Sequence, residues 1–176
     1  MTTRLQYGTT AKTFHWLIVA LLAVQYPIGW LMPDLHRDQT PGAPMTFHVS
    51  FGIVILSLIV LRFIWRLTHP VAPENSLPPW QRLTSVFVHW ALYALVLATT
   101  LTGWLFASFR GWSLSFFYLM PLPMLASDNP AANKFIDGWH QVAGWTLLVL
   151  IGIHVMAALV HIFVYRDGIM RRMLPG

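Results

Sequence analysis

No cysteine occurs among the 176 residues, and charge is scarce: 11 Lys and Arg and 6 Asp and Glu make up 10% of the chain. The first absence excludes a disulfide framework, Cys-ligated zinc, iron–sulfur clusters and the C-x-x-C-H attachment of a c-type haem. The second excludes an ordinary soluble domain, since globular chains carry about 25% charged residues and this one is 56% hydrophobic. The net charge of +5 would suit nucleic acid if it formed one patch. It is spread instead over the flanks of apolar segments, so no nucleic acid is expected as partner. Also missing is period-two alternation, without which a membrane barrel has no sequence basis.

What is present is long apolar runs. Crossing a hydrocarbon core of ~30 Å takes roughly 20 residues of helix, and such stretches lie at about 13–32, 48–67, 86–107 and 142–164. Segments rich in Pro, Gly, Asp and Asn separate them, from Pro33 to Pro44, Pro70 to Pro79 and Arg110 to Asn133. The expected fold is all-α, an integral membrane four-helix bundle, with residues 1–176 forming one domain in contact with lipid. The first run is longer than the apolar core of a signal peptide and passes into Pro33-Asp34 without a small-residue cleavage pattern, so it is expected to be retained.

Orientation follows from basic residues in the flanks. Arg4, Lys12, Arg62, Arg66, Arg82, Arg166, Arg171 and Arg172 lie at the termini and the middle connection, eight of the 11. Arg37, Arg110 and Lys134 lie in the other two connections with four of the six acids, Asp34, Asp38, Asp128 and Asp137. Both termini are therefore expected on the cytoplasmic side. Trp16, Trp30, Trp65, Trp90, Trp104 and Trp139 fall near span ends, as interfacial residues do.

Ionisable groups inside a membrane are expensive and suggest function. His140 and His154, 14 residues apart, differ by about 40° in azimuth and ~21 Å in height on one helix. Such a helix can give one axial ligand to each of two stacked b-type haems, because haem iron is held by His where no thiolate is available. Zinc does not suit residues so far apart. His48 opens the second span level with His140 and makes a natural pair with it. On the other side, either His15 or His89 can face His154. His36 and His69 lie in loops and are left as polar anchors. Gly29 and Gly103 follow His15 and His89 by 14 residues, and Gly52 and Gly144 follow His48 and His140 by four. Glycines on histidine faces leave room for a flat macrocycle.

Phe14-His15-Trp16, Phe47-His48-Val49-Ser50, Leu61-Arg62, Arg66-Leu67, His89, Tyr93, Arg110-Gly111, Trp139-His140 and His154 with Ala157, Ala158 and His161 occur in this order. The set resembles the bacterial cytochrome b561 family along nearly the whole chain. In length and loop sizes it is most like the small superoxide:ubiquinone oxidoreductase members. The resemblance implies a bundle enclosing two haem b, with His15 and His154 on the cytoplasmic-side iron and His48 and His140 on the periplasmic-side iron. It leaves His89 and His161 as quinone-site or supporting residues. It further implies oxidation of superoxide at the outer haem edge and reduction of ubiquinone on the inner side. Arg110, Lys134 and Arg37 are the charges available to steer the anionic substrate. Where the small members carry a Lys just before the residue matching His140, this chain has Asp137 and Gly138, with Lys134 further back.

Two other functions compete. The same haems could carry quinol electrons outward to a periplasmic redox protein docked on Trp112, Phe116, Phe117 and Tyr118, residues that also suit a membrane interface. A chain without haem would use its histidines for a proton or ion path.

Overall fold

A computed structural model of the chain describes residues 7–33, 35, 39–71 and 77–174. The expectations placed on Arg4, Asp34, His36, Arg37 and Asp38 fall outside these. Four long helices are present: α1 (Thr9–Leu31), α2 (Ala43–Thr68), α3 (Pro79–Phe109) and α4 (Pro130–Val160). Each is long and apolar enough to cross a membrane, and the fold is that of a membrane helical bundle. Between α3 and α4 a short hairpin pairs β1 (Ser115–Phe116) with β2 (Met120–Pro121) in antiparallel register. A π-turn (His161–Tyr165) and a 3-10 turn (Ile169–Arg172) follow α4.

The helices begin earlier than apolar content alone suggests. α4 starts at Pro130, so Pro130 to Asn133 are helical rather than part of the connection in which the sequence places them. Asn129 caps it, its side chain accepting from Ala132 N at 3.1 Å, and Pro130 has no N–H to lose in the first turn. Proline at the start of α2 and α3 acts alike, which puts Ala43 and Pro44 inside α2. Proline inside the first span, Pro27, is accommodated within α1.

Neighbours in sequence pack as neighbours in space, α1 on α2, α2 on α3 and α3 on α4. α4 returns to α1 through Tyr26 Oη, which donates to Gly144 O at 2.8 Å, and through Trp30 stacked on Trp145. The two chain ends meet at one end of the bundle, where Trp16 Nε1 donates to Met173 O at 3.0 Å. Arg62 donates to Ala11 O there as well. The opposite end carries the hairpin.

Two apolar clusters form the core. The central one takes Ile18 from α1, Ile55 and Ile59 from α2, Val96 from α3 and Leu147 from α4, with Leu22 packed against it. Ile55 and Leu147 are almost completely buried, at 1% and 2% exposure. The other lies at the hairpin end and joins Met45, Val49 and Ala107 to Trp112 and Leu114. Trp112 is thus a core residue, 5% exposed, and not part of an exposed docking surface. Burying it seats the connection on the bundle; Phe116 and Phe117 are half-buried, and only Tyr118 of the four aromatics is exposed.

Candidate functional site

The buried layers repeat at sevens. Each of His48, His89 and His140 is followed after seven residues by Ile55, Val96 and Leu147, and Leu22 stands in the same relation to His15. Seven residues are close to two helical turns, ~10 Å, and keep a side chain on one face. The central cluster therefore separates two histidine levels.

At the hairpin-end level, His48 of α2 and His140 of α4 face each other with ring centres 6.3 Å apart and planes at 84°. His140 Nδ1 lies 2.9 Å from Thr99 O of α3, so it carries the proton and donates, and Nε2 is left with its lone pair for another partner. Gln25 Nε2 donates to His48 O at 2.9 Å. His48 Nδ1 is buried without a hydrogen-bond partner among the described residues.

At the termini-end level three imidazoles gather. His15 and His154 have ring centres 6.4 Å apart at 79°, and His89 stands 5.3 Å from His154 at 75°. His89 Nδ1 donates to Ser85 O at 2.7 Å within its own helix. Both histidines that sequence spacing offers as partners for His154 are therefore beside it, at different separations. Two imidazoles bound end-on to one metal through bonds of about 2 Å have ring centres roughly 6.3 Å apart. The pairs His48–His140 and His15–His154 have this separation, whereas His89–His154 is about 1 Å too close for it. Among the described residues no group of three or more His, Cys, Asp or Glu is arranged to hold a lone metal ion. Neutral imidazoles in opposed pairs are a donor set for haem iron, and the residues present fit it.

Two of the four glycines border imidazoles of neighbouring helices. A Cβ on Gly29 would lie 3.2 Å from His48 Cε1, and one on Gly103 would lie 2.8 Å from His140 Cε1. These two positions make room for the imidazoles of neighbouring helices. Gly52 lies against Gln25, and nothing stands within 4 Å of the Cβ position of Gly144.

His161 sits one step of seven beyond His154, in the π-turn. Its Nδ1 donates to Asp167 Oδ2 at 2.5 Å. Together with Arg166, Met170 and Arg171 it lines a cavity of about 430 Å3 at the termini end.

Of the charges expected to face an anionic substrate, Lys134 is exposed in the first turns of α4. Arg110 is engaged in structure: its guanidinium lies over Trp112 at 4.5 Å and Phe106 at 5.4 Å and donates to Leu35 O. Sequence reasoning, centred on histidine, passed over several polar partners. Ser50 is fully buried in α2; its Oγ donates to Thr46 O and accepts from Phe117 N at 2.8 Å, which anchors the hairpin. Asn133 of α4 donates to Phe106 O at 3.0 Å. Gln25, Thr46 and Ser50, polar groups inside apolar spans, were the available signal.

Comparison with known proteins agrees with this architecture. The family model described as "Prokaryotic cytochrome b561" matches residues 6–176. "Cytochrome b561 homolog 2" of Escherichia coli (strain K12) is 30% identical over 171 residues, 96% of this chain and 91% of its own. "Probable superoxide oxidase CybB" of Yersinia pestis is 29% identical over 172 residues, covering 97% and 96%. "Cytochrome b561 homolog 1" of Escherichia coli (strain K12) is 26% identical, covering 97% of each chain. These matches run the length of the bundle, and with them the chain belongs to the prokaryotic cytochrome b561 family of membrane electron-transfer proteins.

Proposed function

We propose that the protein holds two haem b, one between His48 and His140 and one between His15 and His154, and uses them as a superoxide:ubiquinone oxidoreductase of the bacterial inner membrane. The observation that carries this reading is the pair of ring separations, 6.3 and 6.4 Å, at two levels of one bundle. The choice of His15 over His89 rests on the shorter 5.3 Å spacing of the latter. The superoxide assignment rests on the likeness to the relative from Yersinia pestis.

When bound, haem supplies reversible one-electron chemistry, which suits a one-electron donor and a two-electron acceptor. Two superoxide anions leave as two dioxygen molecules, and one ubiquinone takes the two electrons with two protons. With both termini cytoplasmic, the hairpin end faces the periplasm. Lys134 there is an exposed positive charge, the group we assign to raise the local concentration of an anion. Arg110 works beside it by fixing the loop that carries Trp112. Between the levels, the layer of Leu22, Ile55, Val96 and Leu147 keeps water out of the interior. At the cytoplasmic end, His161 on the cavity wall is placed to hydrogen-bond a quinone oxygen, and His89 steadies the His154 level from α3.

A second reading has one observation in its favour. Tyr118, Leu119 and Met120 at the hairpin tip are exposed, Leu119 at 78%, a surface suited to a periplasmic redox protein that receives quinol electrons. The deciding experiment is the reduced-minus-oxidised visible spectrum of purified protein with haem quantitation, followed by a superoxide pulse and then ubiquinone. Two b haems reduced by the pulse and reoxidised by ubiquinone are expected. Haems that answer only to quinol assign the carrier function, and a colourless protein overturns both readings.

A further inference from the structure

The cytoplasmic-end cavity contains a carboxylate that the reaction so far leaves without a role. His161 begins the π-turn, a helix irregularity that is common at functional sites. The chain then reverses through Arg166 (φ 53°) and Gly168 (φ 74°), both left-handed. For Arg166 this conformation is unfavourable, and its consequence is to fold the 3-10 turn back over the end of α4. That fold-back brings Asp167, six residues after His161, onto the imidazole at 2.5 Å.

The pair is oriented as well as close. Asp167 Oδ1 accepts from Ile169 N at 3.1 Å while Oδ2 accepts from His161 Nδ1. The carboxylate is thereby fixed at both oxygens. Its side chain is 25% exposed and that of His161 17%, so both groups of the pair are reached by solvent. A carboxylate on Nδ1–H holds the other ring nitrogen, Nε2, as the proton-exchanging atom and stabilises the imidazolium when it forms. Arg166 and Arg171 line the same cavity and favour negative charge on a bound oxygen. A volume near 430 Å3 lies within the range of small-molecule sites, about 300–1,000 Å3.

We infer that Asp167 is the positioning residue for proton delivery at this cavity: it orients His161 toward a quinone head group and stabilises the protonated ring that gives the proton. The inference rests on the quinone reading above. In each of two transfers, the quinone gains one electron through the bundle and one proton from His161 Nε2. The N–H bond breaks as the O–H bond forms. Asp167 stabilises the doubly protonated ring before the transfer, and Nε2 regains its proton from cytoplasmic water that enters the open cavity between transfers. Two electrons and two protons convert the quinone to the quinol, and no further reactant is needed.

The test uses the haem-loaded protein in detergent with a short-tailed ubiquinone analogue as acceptor. Asp167→Asn keeps the Oδ1 acceptor for Ile169 and removes the charge; Asp167→Glu keeps the charge. Expected are a fall of about tenfold or more in kcat for quinone reduction in the Asn protein with KM within about twofold, partial recovery on adding formate, and near-normal turnover in the Glu protein. Visible spectra and the rate of haem reduction from the hairpin end stay unchanged. A wild-type kcat in Asp167→Asn while His161→Ala is impaired overturns the relay and leaves the quinone site standing. Absence of quinone reduction in the wild type, with both haems present, overturns the quinone reading and the relay together.

Discussion

Gly103 and Gly144 lie in helices that pack on each other, yet only one of them is crowded. A Cβ at Gly103 would press to 2.8 Å on His140, a ring already held by Thr99 O, while Gly144 has open space around its Cβ position. Overpacking of this kind costs roughly 1–3 kcal/mol. Gly103→Ala should therefore lower the melting temperature and the content of the hairpin-end haem, and Gly144→Ala should leave the melting temperature near wild type. Equal effects in thermal melts would mean that packing on His140 is not what distinguishes them. The ligand assignment has its own residue-scale test. His48→Ala, His140→Ala, His15→Ala and His154→Ala should each reduce pyridine-haem from two per chain to one, whereas His89→Ala should retain two. Two haems in the His15→Ala protein and one in the His89→Ala protein would exchange those two residues' roles.

At the scale of elements, the hairpin is held by a few contacts that sequence patterns do not display. Ser50 Oγ receives Phe117 N, and the turn it supports places Phe117 (φ 48°) and Tyr118 (φ 62°) in the left-handed region. That conformation costs about 1–2 kcal/mol for a residue with a side chain, so tertiary contacts must hold it. Ser50→Ala leaves the Phe117 N–H without its acceptor and should destabilise by about 1–3 kcal/mol, with faster proteolysis at 115–121. Tyr118→Gly relieves backbone strain at an exposed side chain and should raise the melting temperature. If Ser50→Ala leaves both melting and cleavage unchanged, the hairpin is anchored by Trp112 and Leu114 alone. The helices, by contrast, were legible because length, hydropathy and proline punctuation are local properties. Their early starts were not, since apolar content falls before the helix does: Asn129 and Pro130 initiate α4 amid polar residues. Histidine faces could be read from fourteen-residue spacing. The partner of His154 could not, because depth and phase leave His15 and His89 equivalent and only the distance between helices separates them. Arg110 shows the same limit, since its engagement depends on Leu35 and Trp112 from two different connections.

Across the whole molecule, charge is distributed by end rather than by face. The end where the termini meet gathers most of the basic residues, and the hairpin end has Lys134 standing near Asp137 and Asp128. This asymmetry is the ground for assigning the termini end to the cytoplasm, by the excess of Lys and Arg expected there, and it makes the field at the hairpin end depend on few groups. Lys134→Glu reverses the one exposed basic side chain at the start of α4. It should slow haem reduction by superoxide several-fold at low ionic strength, and the difference from wild type should shrink as salt shortens the Debye length from about 30 Å at 0.01 M to about 8 Å at 0.15 M. Arg110→Ala should behave in another way, lowering thermal stability through the lost stacking on Trp112 and Phe106 with little salt dependence in the rate. Orientation is tested independently by fusing reporters to the C-terminus. A green fluorescent protein should fluoresce and an alkaline phosphatase should stay inactive. The reverse result would put the hairpin and Lys134 in the cytoplasm, where the histidine pairs would still stand at two levels but the superoxide they meet would come from the other side of the membrane.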